Sequence, residues 1–200
     1  MSDRGKTAII LVGGGMKSAH GAGFLYALAT ELGITTPDIM IGSSGKTRYV
    51  SAADSIDPFE ILRASKAIPI LFRKRILFSH HRYIDGELGP VLQDHVAHVL
   101  AQDARNIVII NNFGPWARAN SLIVRLWAHL TPLGLHDAVI RDITTDIKLF
   151  HAPNARVLFL SPQNLPCGTA TRNKAKIRAT LARGVANALA LQDELSVLLK

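Results

Sequence analysis

The sequence predicts an α/β fold, a single domain with a mostly parallel central sheet flanked by helices. Three observations carry this. Short apolar runs of strand length recur along the chain: TAIILV at 7–12, NIVIINN at 106–112 and ARVLFLSP at 155–162. Segments of helical periodicity alternate with them. The first two strands both end in glycine-rich turns, GGG at 13–15 and the Gly42–Gly45 turn. A chain of 200 residues, 48% apolar and 19% charged, is long enough to bury one core, and a single domain over 1–200 is expected.

The elements follow in order. TAIILV reads as a strand buried on both faces, because its apolar residues do not alternate. It runs directly into a glycine-rich loop with no small-residue cleavage site, so it reads as a first strand rather than a signal peptide. Phe24, Leu25, Leu28 and Leu32 mark a helix from Ala19 to Leu32, with Gly33 as its stop. DIMI is a second strand. A right-handed crossover makes it the parallel neighbour of the first. A helix is expected over 58–68, ending before Pro69, then strands RILFS and RYID. Pro90 opens a helix to 102. Residues 120–148 read as mainly helical, broken near Pro132 and Gly134, and 172–199 as one long amphipathic helix.

Composition narrows the function classes. The single cysteine, Cys167, excludes a disulfide framework and a cysteine-based metal site, and fits a reducing, cytoplasmic compartment. No apolar run approaches the roughly 18 residues of a membrane span. The net charge of +8 points to an anionic partner. The densest basic stretch, FRKRILFSHHRY at 72–83, reads first as a solvated edge strand and second as an attraction to an anionic lipid surface. Neither a zinc-finger nor an RNP pattern is present, so no nucleic acid is expected. SLIVRLWAHLTPLGL at 121–135, with Arg125 and Trp127, reads first as a core helix and second as an interfacial one.

The stretch IGSSGKTRY at 41–49 admits two chemistries. Gly45, Lys46 and Thr47 match the end of a P-loop, but the first glycine of G-x-x-x-x-G-K-[ST] falls on Met40. GGGMKS fails the same pattern at Leu11. A nucleophile elbow, G-x-S-x-G, fits better. Gly42, Ser43, Ser44 and Gly45 occupy four of its positions, and Lys46 takes the fifth. Ser44 would be the nucleophile, with the Gly45 N–H and the next helix favouring negative charge. GGGMKS offers several backbone donors for an oxyanion, and Lys17 adds positive charge. Asp85, in YIDGELGPV, is a candidate base for Ser44, although Asp-Gly is also a strong turn signal.

ILVGGGMKSAHGAGFLYAL, IGSSGKT, ASKAIPILF and YIDGELGPV stand in an order that resembles the patatin-like phospholipases. The resemblance covers residues 7–54 and 61–92. It implies a three-layer α/β sandwich and a lipid acyl hydrolase working through a Ser-Asp dyad without metal or organic cofactor. Ser44 would be the nucleophile and Asp85 its base. Gly13, Gly14 and Gly15 would form the oxyanion loop with Gly45, and Lys17 takes the loop's basic position. The substrate would be a lipid or other acyl ester, met in the cytoplasm or at a membrane surface. Ser18, Lys46 and Glu87 stand where the family has glycine, glycine, and glycine or alanine. Only residues 45 to 84 separate the dyad, a shorter interval than the family's. The acyl pocket is therefore expected to be shallow, open or completed by another copy of the chain.

Two further readings remain. A Ser-Asp-His triad would draw on His95, His98, His129, His136 or His151, none in a recognisable motif. A non-catalytic relative, binding lipid or protein partners, would account for Ser18 and Lys46.

Overall fold

The computed structural model describes residues 5–34, 37–42, 76–78, 81–83, 92–112, 151–168 and 171–199, with helical positions 122, 125, 126, 129 and 130. The expected helix at 58–68, the elbow at 43–46, the Asp85 motif and most of 120–148 lie outside them. The elements are β1 (Lys6–Val12), a 3-10 turn (Gly15–Ser18), α1 (Ala19–Thr30), β2 (Ile39–Gly42), β3 (Ile76–Phe78), β4 (His81–Tyr83), α2 (Leu92–Ala101), β5 (Ala104–Asn111), β6 (Arg156–Leu160), α3 (Lys174–Ala190) and α4 (Gln192–Leu199).

The α/β class is as expected: a four-stranded, all-parallel sheet in the order β2-β1-β5-β6, flanked by helices. The chain forms two compact units. The first comprises Met1–Ile41, Ala97–Gly114 and Ala152–Lys200, and the second Gly42–Val96 and Pro115–His151.

In the first unit, β1 and β5 form the centre of the sheet, with Lys6 opposite Ala104 and Val12 opposite Asn111. Residues 7–10 and 106–111 are buried without alternation, as strands covered on both faces require. One face is explicit. Ile9, Val108 and Ile110 pack with Phe24, Ala27 and Leu28 of α1, Ala188 of α3, and Leu195, Leu198 and Leu199 of α4. Each of the valine, leucine, isoleucine and phenylalanine side chains contributes roughly 1.5–3 kcal/mol by leaving water, and the alanines less.

The start of β2 is tied to β1 by side chains. The Asp38 carboxylate accepts from the Thr7 N–H (2.7 Å) and hydroxyl (2.9 Å), and the Asp38 N–H donates back to that hydroxyl (3.3 Å). These bonds, the Thr7 N–H foremost, hold the Asp38 carboxyl below its ordinary pKa despite partial desolvation. Helix α1 ends at Thr30, two residues before the expected Leu32, and Gly33 closes the turn that follows. Gly33 takes a φ of 65°, and the Ile34 N–H reaches back to the Leu28 carbonyl at 2.8 Å.

The C-terminal region corrects the single long helix read over 172–199. Asn173 caps α3 by accepting from the N–H groups of Ala175 and Lys176. The helix then breaks at Leu191 (φ −109°, ψ 14°), and α4 restarts from there. The break turns Leu195, Leu198 and Leu199 into the core beside Phe24. It carries no Gly or Pro, so no local signal marks it.

Helices α1 and α3 cross closely because glycines face each other's backbones. A Cβ on Gly23 would overlap the Leu181 carbonyl, and one on Gly184 would overlap the carbonyl of His20.

In the second unit, β3 and β4 pair as an antiparallel hairpin, Ile76 opposite Tyr83. Gln93, near the start of α2, brackets the His151 backbone: its Oε1 accepts from the His151 N–H at 2.7 Å, and its amide donates to the carbonyl at 3.3 Å. The segment around 122–130 departs from a buried helix. Leu122, Leu126 and Leu130 are 69%, 59% and 72% exposed, on the one face that i, i+4, i+8 spacing gives. No helix among the described residues is long and apolar enough to cross a membrane.

Candidate functional site

The glycine-rich turn after β1 lies at the C-terminal edge of the sheet, inside the first unit. From β1 the chain passes through α1 to β2 on one side. From β5 it passes to β6 on the other. The reversal falls between β1 and β5, and in parallel sheets the crevice beyond such a reversal is where ligands bind. The Gly13–Gly15 turn ends β1 at this point, and Asn111 and Asn112 end β5.

The turn requires its glycines for two reasons. Gly14 has φ 144° and ψ 17°, and Gly15 has φ 57°, conformations that L side chains rarely adopt. Gly14 also lies against β5: a Cβ there would sit 2.9 Å from the Asn112 carbonyl oxygen. The chain then turns through a 3-10 segment, with the Lys17 N–H donating to the Gly14 carbonyl at 3.1 Å, and enters α1. The first N–H groups of such a helical start have no partner within it. They and the helix dipole favour an anion at this spot.

Ser18, which departs from the family's glycine, adopts φ −61° and ψ −11°. That is ordinary right-handed backbone, so its side chain introduces no strain. Gly13 and Gly14 follow β1, and Gly15 and Lys17 lie in the 3-10 segment. Ser44, Gly45 and Asp85 lie outside the described residues. Strand β2, beside β1, ends at the same edge, and Ser44 follows Gly42 in sequence.

Beneath the turn is a buried polar chain that sequence reasoning missed. His20, on the first turn of α1, is fully buried. Its Nδ1 lies 3.0 Å from Asn112 Oδ1, and its Nε2 lies 2.9 Å from Asn187 Nδ2 on α3. The Asn112 amide donates onward to the Val12 carbonyl at 3.2 Å, the last carbonyl before the turn. Beside it, Asn111 donates to Ser161 Oγ at 3.3 Å, tying the end of β5 to that of β6. Burial lowers the His20 pKa, the Asn112 bond opposes that, and nearby Arg183 adds to the lowering. The imidazole is thus held neutral. Only one clue to this chain was legible, the paired asparagines ending an otherwise apolar strand.

The histidines weighed as triad members have other surroundings. His95 is buried on α2, and His98 accepts at 2.6 Å from the amide of Gln102, just past the end of that helix, with burial lowering its pKa. His129 and His151 are exposed. His136 lies outside the described residues. Among the described residues no cluster of three His, Cys, Asp or Glu is arranged to hold a metal ion.

No family model matches the chain, and neither a curated protein nor a solved structure matches it.

Proposed function

We propose that the protein is a serine acyl hydrolase of the patatin-like kind, acting on lipid or other carboxylic esters. The observation that supports this most is the left-handed Gly14–Gly15 turn at the sheet's switch point. It is a backbone donor site of the type acyl transfer needs, beside a strand that leads into Gly-Ser-Ser-Gly. In the proposed reaction Ser44 Oγ attacks the ester carbonyl while Asp85 takes its proton. N–H groups of the Gly13–Gly15 turn and of Gly45 hold the tetrahedral oxyanion. Collapse breaks the ester C–O bond, and the leaving alcohol receives the proton from Asp85. Water, deprotonated by Asp85, then attacks acyl-Ser44. The carboxylic acid leaves, and the proton returns to Ser44.

The exposed Leu122, Leu126 and Leu130, with Arg125 among them and the chain's positive charge, support contact with an anionic membrane surface. The non-catalytic reading rests now on Lys46 and not on Ser18, whose backbone is unstrained.

The test is labelling of the intact chain with a fluorophosphonate probe, together with turnover of short p-nitrophenyl esters. Labelling at Ser44, abolished in Ser44→Ala, is expected. Asp85→Asn should lower kcat by roughly 10²–10⁴-fold, the usual span for loss of a general base. Folded protein that neither labels nor turns over would leave the binding-module reading standing.

A further inference from the structure

We propose that His20 is a positioning residue: held neutral in one tautomer between Asn187 and Asn112, it fixes Asn112 as the floor of the anion-stabilising Gly13–Gly15 turn. Its consequence for rate rests on the acyl-transfer reading. Its structural content does not.

The direction of the hydrogen-bond chain is set by one group that cannot reverse. The Val12 backbone carbonyl can only accept, so the Asn112 atom 3.2 Å from it must be the amide nitrogen. Asn112 Oδ1 then faces His20 Nδ1 at 3.0 Å, so the ring proton sits on Nδ1. A neutral ring with a proton on Nδ1 has an acceptor at Nε2, and Asn187 Nδ2 supplies the matching donor at 2.9 Å. The opposite tautomer would require Asn112 to turn its oxygen onto Val12, two acceptors face to face in a buried site. That arrangement is costly.

Asn112 holds the turn from two sides. Its amide grips the carbonyl that precedes Gly13. Its own main-chain oxygen lies where a Gly14 side chain would be. Room for the amide comes from Gly21, where a Cβ would stand 2.9 Å from Asn112 Nδ2. Gly14, Gly21 and His20 thus all serve the position of one asparagine. Gly184, whose missing side chain lets α3 reach the His20 carbonyl, brings Asn187 within range. A donor set of this kind stabilises charge only if its geometry exists before the charge develops, and a rigid floor supplies that.

Two substitutions separate positioning from mere structure. Asn places an amide near the His Nδ1 position and Gln places one near Nε2. His20→Asn therefore keeps the bond to Asn112, and His20→Gln keeps the bond to Asn187. Each loses one of the two hydrogen bonds of the buried ring, so their losses of stability should be of the same order. In the full-length protein, 15N NMR of the wild type should show neutral Nδ1–H imidazole at residue 20. Amide exchange at Lys17, whose N–H is bonded to the Gly14 carbonyl, should speed up about tenfold in His20→Gln and recover in His20→Asn, with kcat for ester hydrolysis following the same order and KM nearly constant. An Nε2–H tautomer, or equal exchange at Lys17 in both variants, overturns the inference. If the wild type shows no labelling or turnover, the acyl-transfer reading fails, and the tautomer and exchange results decide this inference by themselves.

Discussion

The ends of β1 and β5 meet at one edge of the sheet and are built by opposite means. Strand β1 ends in three glycines, two of them in conformations closed to most residues, and presents backbone. Strand β5 ends in two buried asparagines and presents side-chain amides that bind backbone and hydroxyl neighbours. The first is a turn that glycine takes without the strain a side chain would bring, and the second is its support. Here the support is Asn112, reaching the turn by its side chain at Val12 and by its main chain under Gly14.

The comparison can be broken at either side. The largest effect is expected from Gly14→Ala, which combines a forbidden φ with a Cβ pressed against the Asn112 carbonyl. It should cost about 3 kcal/mol in urea unfolding and abolish labelling at Ser44. Asn112→Ala attacks the support instead. It removes the side-chain donor to the Val12 carbonyl, which keeps only the long main-chain bond at 3.5 Å, and the acceptor facing His20 Nδ1, and should cost about 2 kcal/mol. Gly33→Ala sharpens the contrast. Gly33 has a φ of 65°, but a Cβ added there would meet nothing within 4 Å, so strain acts there alone. It should cost about 1 kcal/mol and leave the site intact. A Gly33→Ala penalty as large as that of Gly14→Ala would mean that the contact with β5 contributes nothing.

The smallest effect is a pH dependence. The folded-state pKa of His20 is lowered, so the unfolded chain takes up its proton first as pH falls. Stability from the neutral ring is whole above an unfolded pKa of about 6.5 and is lost below it, at no more than about 1.4 kcal/mol per pH unit. Comparing urea midpoints at neutral and mildly acidic pH for the wild type and His20→Asn should reveal it. Asp38 acts in a separate window. Its pKa is also lowered, so its contribution is present above the unfolded carboxyl pKa of about 3.9 and is lost below that.

The same contrast governs what was legible. Glycine is conspicuous in sequence, and a glycine run after an apolar strand points to the turn directly. The four sheet strands and α1 were legible for a similar reason, since their patterns are local. The support under the turn was not. His20 bonds to residues far along the chain, on β5 and α3, and nothing near it in AHGAGF signals a polar role. The break at Leu191 was hidden in the same way, because packing of Leu195 and Leu198 decides it rather than a breaker residue. The exposure of Leu122, Leu126 and Leu130 could not be read from periodicity, which shows that a helix has an apolar face but not what meets it.

The strand order β2-β1-β5-β6 also dictates a timetable for synthesis. The central pair joins β1 to β5, made roughly a hundred positions later, and the face over that pair is closed by α3 and α4 at the far end of the sequence. While the ribosome is still making the middle of the chain, β1 can hold β2 and α1 but lacks β5 and the cover of α3 and α4. The nascent chain must carry one edge of the TAIILV strand open until β5 has emerged, a period when chaperone protection matters most.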